Sequence, residues 1–176
     1  FDILHLATHA LVDDVRPERS ALVLAQVGAA VVPGYDGLVT TAEIERGWRL
    51  DAQLVTLSAC ATARGRYVFG EGTAGFVHSL LRAGAHSVLA SLWPVDDRAT
   101  SLLMGRFYET WLGKGSIGKA PRSDAAEALR DSKKWLRDYT TADGTKPYRH
   151  PRYWSAFVLW QLPDGPRAPR RARPLL

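Results

Sequence analysis

A single cysteine and a histidine that precedes it are the residues best suited to covalent chemistry in this chain. Cys60 is the only cysteine among 176 residues, and His9 lies 51 positions before it. Each directly follows a short apolar segment typical of a strand, so parallel pairing of the two strands would bring both residues to one sheet edge. A thiol is only a few per cent thiolate at neutral pH, and a nearby imidazole can take its proton during attack. The pair therefore predicts nucleophilic catalysis by Cys60 with His9 as base.

Other interpretations of these residues are weaker. A free cysteine is often a small buried apolar residue, which is the alternative for Cys60. His5 and His9 have the i, i+4 spacing of paired metal ligands on a helix, but their segment reads as strand and offers no third ligand. We expect His5 to be a structural histidine, and we expect neither a metal nor any other cofactor. The glycine-rich phosphate-binding motifs are absent from the sequence.

The composition is that of a globular domain. Apolar residues make up 46% of the chain and charged residues 23%, which argues against disorder in the bulk of the sequence. One cysteine excludes a disulfide scaffold, and no run of about 18 apolar residues is present to span a membrane. The chain begins at Phe1 in the middle of strand-like sequence and shows no signal peptide, so we expect a cytoplasmic fragment of a longer protein.

The positive net charge is concentrated at the end of the chain. Of the overall +5, the last 13 residues contribute +3 through four arginines and one aspartate. This proline- and arginine-rich stretch predicts a disordered tail over residues 163–176, after a domain that covers residues 1–162. The body is then almost neutral, so we do not expect it to bind nucleic acid.

Apolar and amphipathic segments alternate along the body. Strands are predicted at 2–7, 21–25, 54–58, 87–92 and 154–160. Helices are predicted over 41–46, 73–83, 97–112 and 123–139, with glycines ending three of them. This alternation predicts an α/β fold with a mostly parallel sheet.

Several motifs together resemble the CHAT domain, a caspase-like peptidase domain often found behind tetratricopeptide repeats in bacteria. They include DILHLATHA (2–10), LVTLSACATARG (54–65), GEGTAGFVHSLLRAGAHSVLASLWPVDD (70–97) and HPRYWSAFVLWQ (150–161). A histidine about 50 residues before the cysteine is also the caspase-type order. The resemblance spans nearly all of residues 2–161. It implies a three-layer α/β/α caspase-like fold.

The resemblance also implies cysteine endopeptidase activity on protein or peptide substrates. The family's catalytic dyad falls on His9 and Cys60, and the backbone N–H groups of Ala10 and Cys60 would form the oxyanion hole. Ala10 stands where the family usually has glycine, and so does Gln161 at the end of the last strand. Upstream tetratricopeptide repeats would regulate the domain. The alternative function is a catalytically silent protein-interaction module in signalling or defence.

Two acidic residues follow the predicted strand at 87–92. Asp96 and Asp97 come directly before a helix, and one of them can cap it through its N–H groups. The other is free for a substrate pocket, where a carboxylate attracts a cationic side chain. Separase, which belongs to the same peptidase clan, has a similar tryptophan-plus-acid loop and cleaves after arginine. We therefore expect Asp97, or failing that Asp96, to select a basic residue before the cleaved bond.

Overall fold

A computed structural model describes residues 1–13, 15–25, 36–58, 60–61, 71–113 and 124–162, with the backbone alone at 60–61 and 71–72. The strands are β1 (Ile3–Leu6), β2 (His9–Leu11), β3 (Ala21–Val23), β4 (Leu38–Thr40), β5 (Leu54–Leu57), β6 (Cys60–Ala61), β7 (Ser87–Ser91) and β8 (Phe157–Gln161). The helices are α1 (Thr41–Gly47), α2 (Glu71–Arg82), α3 (Asp97–Leu112) and α4 (Ala125–Arg137). The predicted tail, 163–176, lies outside the described residues.

The main sheet has the strand order β1-β5-β7-β8. β1, β5 and β7 are parallel, while β8 runs antiparallel to β7. All four residues of β5 are buried, as the continuous apolar run in its sequence predicts for a central strand covered on both faces. The prediction of a mostly parallel sheet is confirmed.

Helices cover both faces of the main sheet. On one face, α3 and α4 pack over Leu54 and Leu89. On the other face, α1 and α2 pack over Val55 and Val88. Because successive strand residues point to opposite faces, neighbouring positions of β5 and β7 supply two separate cores. The predicted α/β architecture of helices on either side of a sheet is confirmed.

A second, smaller sheet continues from one corner of the first. Its strand order is β4-β3-β2-β6. β2, β4 and β6 were not among the predicted strands, because two or three residues are too short for an alternating pattern to show. His9 and Cys60 therefore lie within short strands of this second sheet, and not in loops directly after the longer strands as predicted.

The helix ends follow local chemistry that is readable in the sequence. The Thr40 hydroxyl accepts from the Glu43 N–H, and the Glu43 carboxylate accepts in return from the Thr40 N–H, which makes a capping box. Gly113 follows α3 with φ 81° and stops it. Gly84 follows α2 with φ 108°, a region that favours glycine. Asp124 caps α4, which begins at Ala125, two residues later than predicted.

The last strand begins later than its sequence predicts. The predicted range was 154–160, but Trp154 and Ser155 belong to the turn after a 3-10 helix at Pro151–Tyr153. The aromatic residues of this segment favour a strand by propensity. Trp154 and Ser155 nevertheless form a turn, because both donate their backbone N–H groups to the Pro151 carbonyl. Phe157, the first residue of β8, is fully buried.

Candidate active site

His9 and Cys60 lie opposite each other on two parallel strands. β2 pairs with β6 so that His9 is the register partner of Cys60 and Ala10 is the partner of Ala61. Neighbouring strands lie about 5 Å apart. The backbones of the two residues are therefore direct neighbours in the ladder. The backbone thus brings the predicted base and the predicted nucleophile together.

This alignment continues the register of the main sheet. Ile3 pairs with Leu54 in β1 and β5, so paired residues differ by 51 in number, as His9 and Cys60 also do. Two residues separate β1 from β2, and two separate β5 from β6. The Ser58 N–H donates to the Leu6 carbonyl at 3.0 Å across this link. The 51-residue spacing between His9 and Cys60 therefore follows from the register in which β1 pairs with β5 and β2 pairs with β6.

His9 is accessible to solvent. In β2 the burial alternates, with His9 and Leu11 exposed and Ala10 only 3% exposed. Ala10 packs in the core formed with α1 and α2. This alternation places His9 on the exposed side of β2.

The predicted oxyanion donors lie on the same two strands. Ala10 is opposite Leu22 of β3 and also opposite Ala61 of β6, so it lies on an inner strand of the small sheet. An oxyanion role for the Ala10 N–H therefore competes with ladder pairing at this position. Cys60 lies on β6, which pairs with β2 at one end of the strand order.

The acidic pair divides into a cap and a first-turn residue. The Asp96 carboxylate accepts from the Ala99 N–H at 2.9 Å and caps α3. Asp97 is the first residue of the helix and is exposed. Both follow the carboxyl end of β7, the same edge to which β1 and β5 deliver β2 and β6. Asp97 is thus the residue of the pair whose carboxylate is not used as the helix cap.

His5 belongs to a different polar group, on the face covered by α3. It is the register partner of Thr56. The Tyr108 hydroxyl lies 2.7 Å from the Thr56 hydroxyl and 3.3 Å from His5 Nδ1. Burial against this cluster lowers the pKa of His5 and raises the pKa of Tyr108. These contacts agree with the structural role predicted for His5.

Thr8 is a residue near the site that the sequence did not single out. Its hydroxyl donates to the backbone carbonyl of Val23 in β3, and Val23 is the antiparallel partner of His9. The bond ties the two-residue link between β1 and β2 to the neighbouring strand. A threonine within a strand-like segment is ordinary by propensity, so only the pairing of β2 with β3 could have indicated this contact.

Two negative findings apply to the described part of the chain. No three histidine, cysteine, aspartate or glutamate side chains cluster there in a way that could hold a metal ion. None of the helices within the described ranges is both long enough and apolar enough to cross a bilayer.

The structure defines an α/β domain with a mostly parallel sheet between helical layers. Comparison with protein families agrees, because the profile of the CHAT domain matches residues 1–161. The chain belongs to the CHAT domain family.

Two curated mammalian proteins are similar to part of the chain. Tetratricopeptide repeat protein 28 of Mus musculus is 31% identical over 127 residues, which are 72% of this chain and 5% of that protein. Tetratricopeptide repeat protein 28 of Homo sapiens is 28% identical over 127 residues, 72% of this chain and 4% of that protein. The chain thus spans about 5% of the length of these relatives. Similar sequences occur outside bacteria and in tetratricopeptide repeat proteins.

Proposed function

We propose that this chain is a cysteine endopeptidase domain that hydrolyses peptide bonds of protein substrates. The observation that carries the proposal is the opposed register of His9 and Cys60 on the parallel strands β2 and β6, which follow the carboxyl ends of β1 and β5. Open α/β sheets bind their ligands at this edge. A thiol and an imidazole at adjacent ladder positions are the minimum that thiol-dependent peptide hydrolysis requires.

In the proposed reaction, His9 takes the thiol proton of Cys60 as the sulfur attacks the scissile carbonyl carbon. The backbone N–H groups of Cys60 and Ala10 are the proposed donors to the oxyanion of the tetrahedral intermediate. Its collapse breaks the C–N bond, and the imidazolium returns the proton to the leaving amine. Water, activated by His9, then hydrolyses the thioester and releases the carboxylic acid and the free thiol.

The proposal includes a substrate preference and a regulatory context. Asp97 is proposed to attract a basic side chain just before the cleaved bond, with Asp96 retained as the helix cap. The similarity to tetratricopeptide repeat proteins supports a repeat region elsewhere in the full-length protein that regulates the domain. The reaction chemistry needs no cofactor, and a cytoplasmic location is part of the same proposal.

The decisive experiment measures hydrolysis of a peptide library by the wild-type chain and by Cys60→Ala and His9→Ala variants, with new peptide ends counted by mass spectrometry. Both variants should lose hydrolysis, and the double variant should be little worse than either single one because the two residues act as a unit. His78→Ala is the matched control, since His78 is an exposed histidine on α2 beside Glu45, and it should retain full activity.

Hydrolysis by folded Cys60→Ala protein at the wild-type rate would disprove the dyad. The second candidate, a silent interaction module, is favoured by the position of Ala10 between two strands of the small sheet. A thiol-reactive peptidyl probe separates the two candidates. Labelling of the wild-type chain that disappears in Cys60→Ala supports the peptidase, and its absence from folded wild-type protein supports the interaction module.

A further inference from the structure

A groove of about 310 Å³ lies between α4 and the indole of Trp154. It is on the face of the sheet covered by α3 and α4, and it involves neither His9 nor Cys60. Its lining consists of three apolar residues and four basic ones: Ala126, Leu129, Trp154, Arg130, Lys133, Lys134 and Arg137. The groove therefore combines an apolar floor with a basic rim.

The groove is built on packed elements. α4 is strongly amphipathic, and its buried residues fall on one side of the helix: Ala125, Ala128, Leu129, Ser132 and Leu136. Trp154 is half-buried against the same core, and its indole N–H donates to the Arg149 carbonyl at 3.4 Å. Leu129 and Trp154 of the floor are thus held in place by the core, whereas Ala126 is exposed. Of the basic residues, Lys133 is partly buried and the other three are exposed.

The basic rim consists of Arg130, Lys133, Lys134 and Arg137. Two of these cations share one carboxylate, so the rim carries more positive than negative charge. Asp131 lies 3.1 Å from Arg130 and 3.9 Å from Lys134. Both contacts are between half-exposed side chains. Exposed pairs of this kind stabilise a protein by only about 0.2–1 kcal/mol. These cations can therefore exchange Asp131 for a carboxylate of a partner at little cost.

The two remaining cations line the same groove. Arg137 pairs with Asp138 at 2.7 Å. For Lys133, no carboxylate of the described residues lies within ion-pair distance, and partial burial lowers the pKa of its ammonium group. A carboxylate brought close to Lys133 would favour its ammonium form and raise this pKa again. α4 and its two caps also carry four carboxylates, those of Asp124, Glu127, Asp131 and Asp138. None of these carboxylates lines the groove, whose four charged lining residues are all cations, so the groove favours an acidic ligand.

We infer that this groove binds an acidic segment of a partner protein, with an apolar side chain of the segment on the Trp154 floor and its carboxylates on the basic rim. The apolar floor and the volume suit one or two side chains of a peptide. A nucleic acid needs a longer track of cations to follow its phosphates, and the basic rim extends only from Arg130 to Arg137 on one helix. The inference is independent of peptide hydrolysis.

The test measures binding of a fluorescent heptapeptide, Glu-Leu-Glu-Glu-Phe-Glu-Glu, to the chain by fluorescence anisotropy. Two control peptides replace either every Glu by Gln or both apolar residues by Ser. The acidic apolar peptide should bind at least about tenfold more tightly than either control. Its affinity should fall when salt is raised to about 0.3 M, where charge attraction is screened.

Variants locate the binding in the groove. Ala126→Glu places in the groove a negative charge that repels an acidic peptide. The substitution is compatible with the first turn of α4, where acidic residues are favourable. Ala126→Gln is the neutral control of equal size. Lys133→Glu reverses one rim charge, and Arg46→Glu makes the same change on α1, across the sheet. Ala126→Glu and Lys133→Glu should each weaken binding at least about tenfold. The two controls should stay within about twofold.

Three results would overturn the inference. One is equal binding of the acidic and the Gln-substituted peptides. Another is equal weakening by Arg46→Glu and Lys133→Glu, which would show attraction to the overall charge alone. The third is binding of a single-stranded oligonucleotide, lost in Lys133→Glu, without binding of the acidic peptide, which would make the groove a phosphate-binding surface.

Discussion

At the scale of single residues, Asp96 and Asp97 show how adjacent identical side chains acquire different roles. Asp96 caps α3, so Asp96→Ala should lower the free energy of unfolding by about 1 kcal/mol. Asp97→Asn should leave stability nearly unchanged, because Asp97 is exposed. Urea unfolding of the two variants measures this difference, and a larger stability loss in Asp97→Asn would reverse the assignment.

The specificity of the proposed peptidase is a separate expectation for the same residue. Asp97→Asn should reduce the ratio of kcat/KM for arginine over leucine before the cleaved bond by about tenfold, since a charge pair with the substrate is lost. Matched peptides with Arg, Asp or Leu at that position measure the ratio, and Asp96→Asn is the matched control variant. An unchanged ratio in Asp97→Asn would leave the acidic pair with its capping role alone.

His5 gives stability a defined pH dependence. Burial lowers its pKa in the folded state, whereas the unfolded chain keeps the ordinary value of about 6.5. Between these values the unfolded state binds more protons, so stability is full above about pH 6.5 and falls as the pH drops towards the lowered pKa. The urea concentration at the midpoint of unfolding should therefore be lower at about pH 5.5 than at about pH 8. His5→Gln should reduce the decrease, and an identical decrease in that variant would exclude His5 as its source.

At the scale of elements, Gly84 is a position where the backbone conformation and a close neighbour both oppose a side chain. Its φ is 108°, and a Cβ built there would lie 2.1 Å from the Leu50 carbonyl oxygen. Gly84→Ala should therefore destabilise the protein by at least about 1–3 kcal/mol through backbone strain, with the close contact adding to the loss. The measurement is the free energy of unfolding in urea.

Gly105 is the matched control for this substitution. It lies in the middle of α3, and a Cβ built there meets nothing within 4 Å. Gly105→Ala should stabilise the protein by about 0.5–1 kcal/mol, because alanine is the better helix former. Equal effects of the two substitutions would show that the contact of Gly84 with Leu50 is not decisive.

The elements differ in how well the sequence predicts them. α1 and α3 were predicted almost to the residue, because Thr40, Glu43, Asp96 and Gly113 carry their start and stop chemistry locally. β2 and β6 were missed, since strands of two or three residues exist only through their partners. The position of His9 opposite Cys60 could be anticipated from spacing, but the strands that hold the two residues could not.

At the scale of the whole molecule, the predicted tail should not contribute to folding. Deleting residues 164–176 should change the free energy of unfolding by less than about 0.5 kcal/mol, the usual range for changes outside packed structure. Deleting 157–176 is the contrasting truncation, because it also removes β8, which pairs with β7 and buries Phe157. That chain should fail to fold cooperatively. A marked loss of stability with the shorter deletion would show that the tail packs.

The overall architecture was predictable where one physical pattern covers a whole segment. The continuous apolar runs of β5 and β7 and the periodicity of the helices indicated a parallel sheet between helical layers. The groove between α4 and Trp154 was not predicted, because its basic rim comes from α4 and its floor includes a residue of the turn before β8. Surfaces assembled from segments distant in sequence require the packed fold.

The shared register also determines where this domain tolerates changes in chain length. The Leu24 N–H donates to the Gly37 carbonyl at 2.7 Å and holds together the ends of the connection between β3 and β4. This hydrogen bond takes no part in the pairing of β1 with β5, which sets His9 opposite Cys60. A slip of one residue between β1 and β5 would instead displace Cys60 by about 3.3 Å along its strand. Inserting or deleting one residue within β1 or β5 should therefore move Cys60 away from His9.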